Sequence, residues 1–312
     1  MDKKSFHLVA DDLKDFVKGL PDIQVSDERL PELRATGVEM IKNFFPQQAQ
    51  QGKKIQISDE VSIFLYTPKD KSLEKYPVLY YIHGGGYISG MADMNDYLHQ
   101  KRADSLNVVL VAIEYRLAPE HPFPIPLQDC MLGFEWTHAN IEQFNGDKDR
   151  ITIMGESAGG GLAAALNLYI KDKTAYKPKN QILIYPMLDY KTSQDPENYP
   201  NKYVGEYLWT HQTNQYGWQA LHGDKEIAKE DIGYFSPSHA ADLTGLPNTY
   251  IGVGSLDLFL EEDMNYAIGL VRAGVPTTLD VVNGAVHAFD MVSSKTSDQF
   301  NERLHTLLKN IL

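Results

Sequence analysis

Six short runs of the sequence, at residues 78–82, 108–113, 151–154, 182–185, 250–253 and 279–282, are rich in Val, Ile, Leu and Tyr and almost free of charge. A half-solvated strand alternates apolar and polar residues, so runs that are apolar nearly throughout belong to strands covered on both faces. Longer amphipathic or polar stretches separate them. That alternation predicts an α/β fold, a largely parallel central sheet sandwiched between helices. Ahead of these runs, Ile55 and Ile57, then Val61, Ile63 and Leu65, recur with period two and predict a strand pair turning near Ser58-Asp59-Glu60.

Earlier still, Val9, Leu13, Phe16, Val17 and Leu20 fall at helical spacing before Pro21. Residues 26–45 repeat the rhythm through Leu30, Leu33, Ile41 and Phe44, so two N-terminal helices are expected. One interval breaks the strand–helix alternation. Residues 186–223 are too many and too aromatic for an ordinary crossover, with Tyr199, Tyr203, Tyr207, Trp209, Tyr216 and Trp218, and read as an insertion over one end of the sheet. The carboxyl ends of parallel strands are where such folds place ligands. No internal repeat or Gly/Ser-rich linker separates domains.

Composition narrows the functions. The 42 acidic residues outnumber the 29 basic ones by 13, so phosphate backbones and anionic lipid surfaces would repel the chain and nucleic acid is not expected as a partner. The longest apolar runs fall far short of the ~18–20 residues of a membrane span. The first twenty residues interrupt their apolar positions with charges and lack the apolar core of a secretory signal. Cys130, the single cysteine, can form neither an internal disulfide nor a cysteine-based zinc site. A cytoplasmic, reducing setting is expected.

Gly155-Glu156-Ser157-Ala158-Gly159 directly follows the run at 151–154 and precedes a helix-forming stretch at 161–169. A G-x-S-x-G between strand and helix is the context of a nucleophile elbow, where small neighbours allow a sharp turn and leave the serine hydroxyl clear. The pattern alone arises by chance in about one chain of this length in ten, so the flanking strand and helix carry the inference. Ser157 then stands at a helix N-terminus, where the Ala158 amide can face a developing oxyanion. His83-Gly84-Gly85-Gly86 follows the run at 78–82 and supplies backbone amides bare of side chains, the other half of an oxyanion hole. A phosphate cradle would want a Gly-Lys-Ser/Thr ending that is absent.

A serine needs a base, and the base a third group to fix its tautomer. Of ten histidines, His287 lies in a loop five residues after the last strand, placed to reach over the sheet edge, while His83 is tied to the glycine loop. For the acid, Asp257 follows the run at 250–253; Asp189, Asp242 and Asp263 are rivals that read as caps or surface carboxylates. The chain order Ser157, Asp257, His287 is that of an α/β-hydrolase.

These motifs, with Tyr115-Arg116-Leu117-Ala118-Pro119-Glu120, resemble those of the hormone-sensitive-lipase-like family of carboxylic-ester hydrolases from about Pro77 to His287. The resemblance implies an α/β-hydrolase fold with a helical cap built from residues 1–45 and 186–223 over a core of 46–185 and 224–312. It further implies a triad of Ser157, Asp257 and His287 and oxyanion donors at Gly85, Gly86 and Ala158. The implied substrate is a small-molecule ester with a short acyl chain, with no metal or organic cofactor. Amide hydrolysis would use the same residues. The plant gibberellin receptors resemble the family but lack the histidine that is present here as His287. Two departures stand out: Glu156 replaces the usual aspartate before the serine, and the family's D-P-L-R-D-E segment reads Asp257-Leu258-Phe259-Leu260-Glu261-Glu262, without its proline and arginine. Arg116 and Glu120 read as braces for a loop. Whether Tyr203, Tyr207, Trp209 and Trp218 line the pocket, pack the cap or join copies into a homo-oligomer, the sequence leaves open.

Overall fold

Successive side chains of a strand point to opposite faces, and in this chain both faces are apolar. The computed structural model describes residues 3–20, 24–44, 50–70 and 72–312; Pro21 and Phe45, the expected ends of the two N-terminal helices, lie outside them. Among the described residues eight strands form one sheet: β1 (Lys53–Gln56), β2 (Ser62–Tyr66), β3 (Tyr76–Ile82), β4 (Val109–Glu114), β5 (Gly146–Glu156), β6 (Asn180–Ile184), β7 (Asn248–Gly254) and β8 (Thr277–Val282). Their order is β1-β2-β4-β3-β5-β6-β7-β8. The pairings β1·β2 and β2·β4 are antiparallel and the other five parallel. All six apolar runs fall on strands, with Val108 one residue ahead of β4 and Tyr185 one residue past β6, which gives the α/β architecture expected.

The helices are α1 (Lys14–Lys18), α2 (Leu30–Phe44), α3 (Asp96–Leu106), α4 (Ile125–Asn140), α5 (Ala158–Lys173), α6 (His211–His222), α7 (Ile232–Phe235), α8 (Leu260–Arg272) and α9 (Lys295–Ile311). Val78, Tyr80 and Ile82 of β3 belong to one apolar core that also takes in Leu127 and Phe134 of α4, Leu166 of α5 and, farther along the sheet, Leu270 of α8. The intervening Leu79 and Tyr81 join Ala103 and Leu106 of α3 and Phe300, Leu304 and Leu308 of α9 on the opposite face. Period-two alternation thus distributes one strand between two cores.

The first expected helix is instead two 3-10 turns, Phe6–Leu8 and Asp11–Leu13, followed by the single turn and a half of α1. Tertiary contact overrides the helical spacing. Val9 and Ala10 are extended, the Ala10 amide donates to the Gly284 carbonyl at 3.0 Å, and Val9, Leu13 and Val17 reach the α9 face of the core. The second helix forms as expected, and Val25, Leu30 and Leu33 pack with Ile88, Ala118 and Ala220 of α6 in a third apolar cluster.

Arg34 pins α2 down. Its guanidinium donates to the Ile88 carbonyl (2.7 Å), the Ala118 carbonyl (3.0 Å) and both oxygens of Glu120 (2.7 and 2.8 Å). Glu120, read as a loop brace, braces this helix. The Arg34 hydrogen bond pulls the Glu120 carboxyl from 4.5 down to about 2. A depressed folded pKa means that the pairing contributes fully above pH 4.5 and is lost as pH falls from there toward 2. Glu120 is 53% exposed, so the gain is on the order of 1 kcal/mol or less. Protection of the α2 amides, taken relative to the intrinsic exchange rate at each pH, should therefore fall between pH 4.5 and 2, and in Glu120→Gln it should already be lower at neutral pH. Equal protection in both proteins would contradict this account.

Candidate active site

Register brings the two motif loops together. Ile82, the last residue of β3, pairs with Gly155 of β5, so the glycine loop leaves the sheet beside the turn into α5. Ser157 occupies that turn at φ 55° and ψ −121°, a conformation costing a non-glycine residue about 1–3 kcal/mol. Backbone bonds hold it: Ser157 N–H donates to the Ile184 carbonyl at 2.9 Å, and Met187 N–H donates to the Ser157 carbonyl at 3.0 Å. Gly159 permits the close approach, because a Cβ there would stand 2.2 Å from the Ile82 carbonyl oxygen. Ala158 begins α5, and its amide is among those with no carbonyl one turn back.

The structure brings Ser157, His287 and Asp257 into one hydrogen-bonded chain. Ser157 Oγ lies 3.0 Å from His287 Nε2, and His287 Nδ1 lies 2.8 Å from Asp257 Oδ2. Serine and histidine are 6% exposed and the aspartate 0%. A carboxylate only accepts, so Nδ1 carries the ring proton and Nε2 turns its lone pair toward the hydroxyl. Asp257 Oδ1 takes the Phe259 amide at 3.0 Å; the altered segment after Asp257 therefore still supports the carboxylate, from its own backbone. Tyr185 and Phe259 stand edge-on to the imidazole, with ring centroids 4.7 and 5.3 Å away.

Gly85 and Gly86 both have positive φ, 123° and 62°. The Trp209 indole covers Gly86 so closely that a Cβ would fall 1.9 Å from its Cη2. His83 does not face Ser157 as a base. Burial pushes its pKa down to about 4, its Nδ1 donates to the Gly84 carbonyl at 2.8 Å, and its ring stacks on Tyr115 at 4.2 Å. The Tyr115 hydroxyl in turn donates to the His83 carbonyl at 2.9 Å. The loop is thus fixed by its neighbours.

The rival acids lie elsewhere, and one of them, Asp263, corrects the expectation of caps or surface carboxylates. Asp189 is buried and caps the Lys191 amide at 2.9 Å, while it also accepts from the Tyr199 hydroxyl and from His239 Nε2 at 2.8 Å. Asp263, on the inward face of α8, is fully buried, and neither carboxyl oxygen has a hydrogen-bond partner among the described residues. Asp242 alone is exposed, where it caps Thr244.

A cavity of about 430 Å³ opens onto Ser157 and His287, lined also by the glycine loop, Trp209 and residues 24–37. Of the four aromatics left open, Trp209 lines it. Tyr207 and Trp218 are buried in the cores and Tyr203 meets His7 edge-on. Glu156 reaches the cavity wall and pairs with Arg102 at 3.7 Å. Asp290 accepts from the Tyr185 hydroxyl at 2.8 Å, and burial together with the Glu156 charge pushes it up to about 6. The sequence reading missed Arg102, Asp290 and Arg34. Asp290 follows His287 by three residues, the one local signal among them; the two arginines lie on helices whose spacing says nothing of their targets.

Fold and site define an α/β hydrolase. A family model for the alpha/beta hydrolase fold matches residues 79–291, and the chain belongs to that family, in the hormone-sensitive-lipase-like group to which its motifs pointed. An arylesterase of Saccharolobus solfataricus is 31% identical over 259 residues, spanning 83% of this chain and 82% of the relative. An arylacetamide deacetylase of Bos taurus is 29% identical over 310 residues, spanning 79% and 78%. Among solved structures, a bacterial heroin esterase superposes with a TM-score of 0.89 at 31% identity and covers 99% of both chains.

Burial raises the Asp263 carboxyl well above its usual 3.8, and the charges of Glu262 and Asp257 add to the effect. A carboxyl that keeps its proton only in the folded state weakens the fold increasingly as pH rises past its unfolded value. Melting temperatures of the parent should therefore fall relative to those of Asp263→Asn between about pH 4 and pH 7. Parallel curves would show that Asp263 ionises freely in place.

Proposed function

We propose that the protein is a serine carboxylesterase acting on short-chain acyl esters. The observation that carries this reading is the chain from Ser157 Oγ through His287 to Asp257, set at the floor of a cavity beside the glycine loop. Ser157 attacks the ester carbonyl while His287 Nε2 takes its proton. The amides of Gly85, Gly86 and Ala158 receive the negative charge of the tetrahedral oxygen. His287 then passes the proton to the departing alkoxide, leaving an acyl-enzyme and an alcohol. Water, deprotonated by the same nitrogen, attacks the acyl-enzyme and releases the acid. Asp257 holds the imidazole in the required tautomer and stabilises the imidazolium. No step draws on a metal or an organic cofactor.

The apolar cavity fits a small ligand, and the Trp209 wall supports a preference for short acyl groups. Residues 24–37 and 208–213 roof the cavity in this reading, as a cap contributed by the N-terminal segment and the insertion. The location proposed is cytoplasmic, on the single cysteine Cys130, which is buried and free. No helix among the described residues is long and apolar enough to cross a membrane.

Ser157→Ala should lower turnover of 4-nitrophenyl acetate by about 10³-fold or more in a folded protein, with Asp257→Asn nearly as damaging. A serine-directed organophosphate should leave one equivalent on Ser157 by peptide mapping. Retained turnover in Ser157→Ala, or label on another serine, would sink the assignment.

Gly86→Ala forces a methyl group into Trp209 and should displace an oxyanion donor, costing about 10²-fold in kcat. An acetyl-to-dodecanoyl ester series sets the chain-length preference, with activity expected to peak at the short end. A peak at dodecanoyl would refute the short-chain reading.

A further inference from the structure

Between Tyr203 and Trp209 the chain makes a turn in which Gly205 and Leu208 both have positive φ, 70° and 56°. A turn of this kind has no ladder of backbone hydrogen bonds to hold it, so its neighbours must. At one end Gly205 rests on the residue after Asp257: a Cβ on Gly205 would come within 2.8 Å of Leu258 Cδ1. At the other end Trp209 covers Gly86 and stands with its ring 6.3 Å from that of His287. Trp209 Nε1 is anchored on Asn214 Oδ1 at 3.1 Å.

Between the two ends stands Glu206, and its carboxylate is held by a distant piece of chain. Lys4 N–H donates to Oε1 at 3.0 Å, and Ser5 gives Oε2 both its amide at 2.7 Å and its hydroxyl at 2.6 Å. Lys3 Nζ donates to the Glu206 carbonyl at 2.7 Å and lies 5.7 Å from the centroid of the neighbouring Tyr207 ring. Ser5 has no exposed surface. Hydrogen bonds to an ionised acceptor are shorter and about twice as strong as neutral ones, so three of them on one carboxylate make a firm clasp. Val9, Leu13 and Val17 tie the strap itself to the α9 face of the core.

We propose that Glu206 is a positioning residue for ester hydrolysis: Lys4 and Ser5 clasp its carboxylate and Lys3 its carbonyl, the clasp fixes the turn at 203–209, and the turn holds Trp209 as a rigid wall against Gly86. The proposal rests on Gly86 being an oxyanion donor. It goes beyond that reading by making the N-terminal strap part of the apparatus that sets turnover and chain-length limit. A substrate carbonyl bound at Gly86 has the indole beside it, so a loosened turn both relaxes the donor and opens the wall.

The test is a kinetic cycle on the full chain, with Glu206→Gln, which keeps shape and removes charge, and Ser5→Ala, which deletes one donor. With 4-nitrophenyl acetate, kcat should fall about 3- to 10-fold in each at nearly constant KM, since misplacement acts on the transition state. The octanoate-to-acetate ratio of kcat/KM should rise in both. In a Trp209→Ala background neither substitution should change that ratio further, because the wall they hold is gone.

The proposal is overturned if both variants lower only the melting temperature and leave kcat and the ratio at parental values. It is also overturned if their effects add in full to those of Trp209→Ala. Should Glu206→Gln not fold, Ser5→Ala decides by the same criteria. Full activity in Ser157→Ala would instead remove the esterase reading beneath; loss there with unchanged Glu206→Gln kinetics removes the positioning role alone.

Discussion

The turn at Ser157 places an L-residue at φ 55°, where its own side chain crowds the backbone, and the surrounding structure is arranged to hold it there. A Cβ on Gly155 would lie 2.0 Å from the Gly159 carbonyl oxygen, and one on Gly159 would meet the carbonyls of Ile82 and His83. The helix therefore starts hard against the end of β3. That contact sets the start of α5 against the glycine loop. Strain of about 1–3 kcal/mol is small beside the burial of α5, whose Leu162, Leu166, Leu168 and Ile170 are all at most 4% exposed and contribute about 1.5–3 kcal/mol each.

The Asp257 side of the cavity is organised by one helix. Asp257 sits just ahead of α8, and Glu262, fully buried within it, accepts the amides of Leu188 (2.6 Å) and Asp189 (3.3 Å) and the Thr192 hydroxyl. Those residues open the insertion. One helix thus ties the carboxylate behind His287 to the root of the segment carrying Trp209. Burial pushes Glu262 well above the usual carboxylate range, the cost of using an acid as an internal strut. Asp189, next along, is held by Tyr199 and His239, which fastens the insertion again farther out.

The N-terminal segment serves two places at once. Its first residues clasp the turn before Trp209, while Arg34 of α2 fixes the other side of the cavity to Ile88 and Ala118 behind the glycine loop. Helical spacing in residues 9–20 was correct about which side chains are buried and incorrect about the backbone that buries them. The Ala10 to Gly284 hydrogen bond requires an extended chain, and nothing within the segment itself could announce it.

Local chemistry is what a sequence carries, and here it carried a great deal. Apolar runs named the strands because a strand covered on both faces has nowhere to put a charge. The residues at 83–86 and 155–159 were legible because a sharp turn and a bare amide each demand small side chains. Asp257 and His287 could be chosen because each follows a strand at its carboxyl end. Only the fold decided what depends on partners far away in the chain: the burial of Asp263 and Asp189, the pairing of Arg102 with Glu156, the contact of Trp209 with Gly86, and the reach of Ser5 to Glu206 across 201 residues. Such contacts are set by where the sheet and its loops bring backbones together, and a side chain's type fixes what it can bond to but not what will be near it.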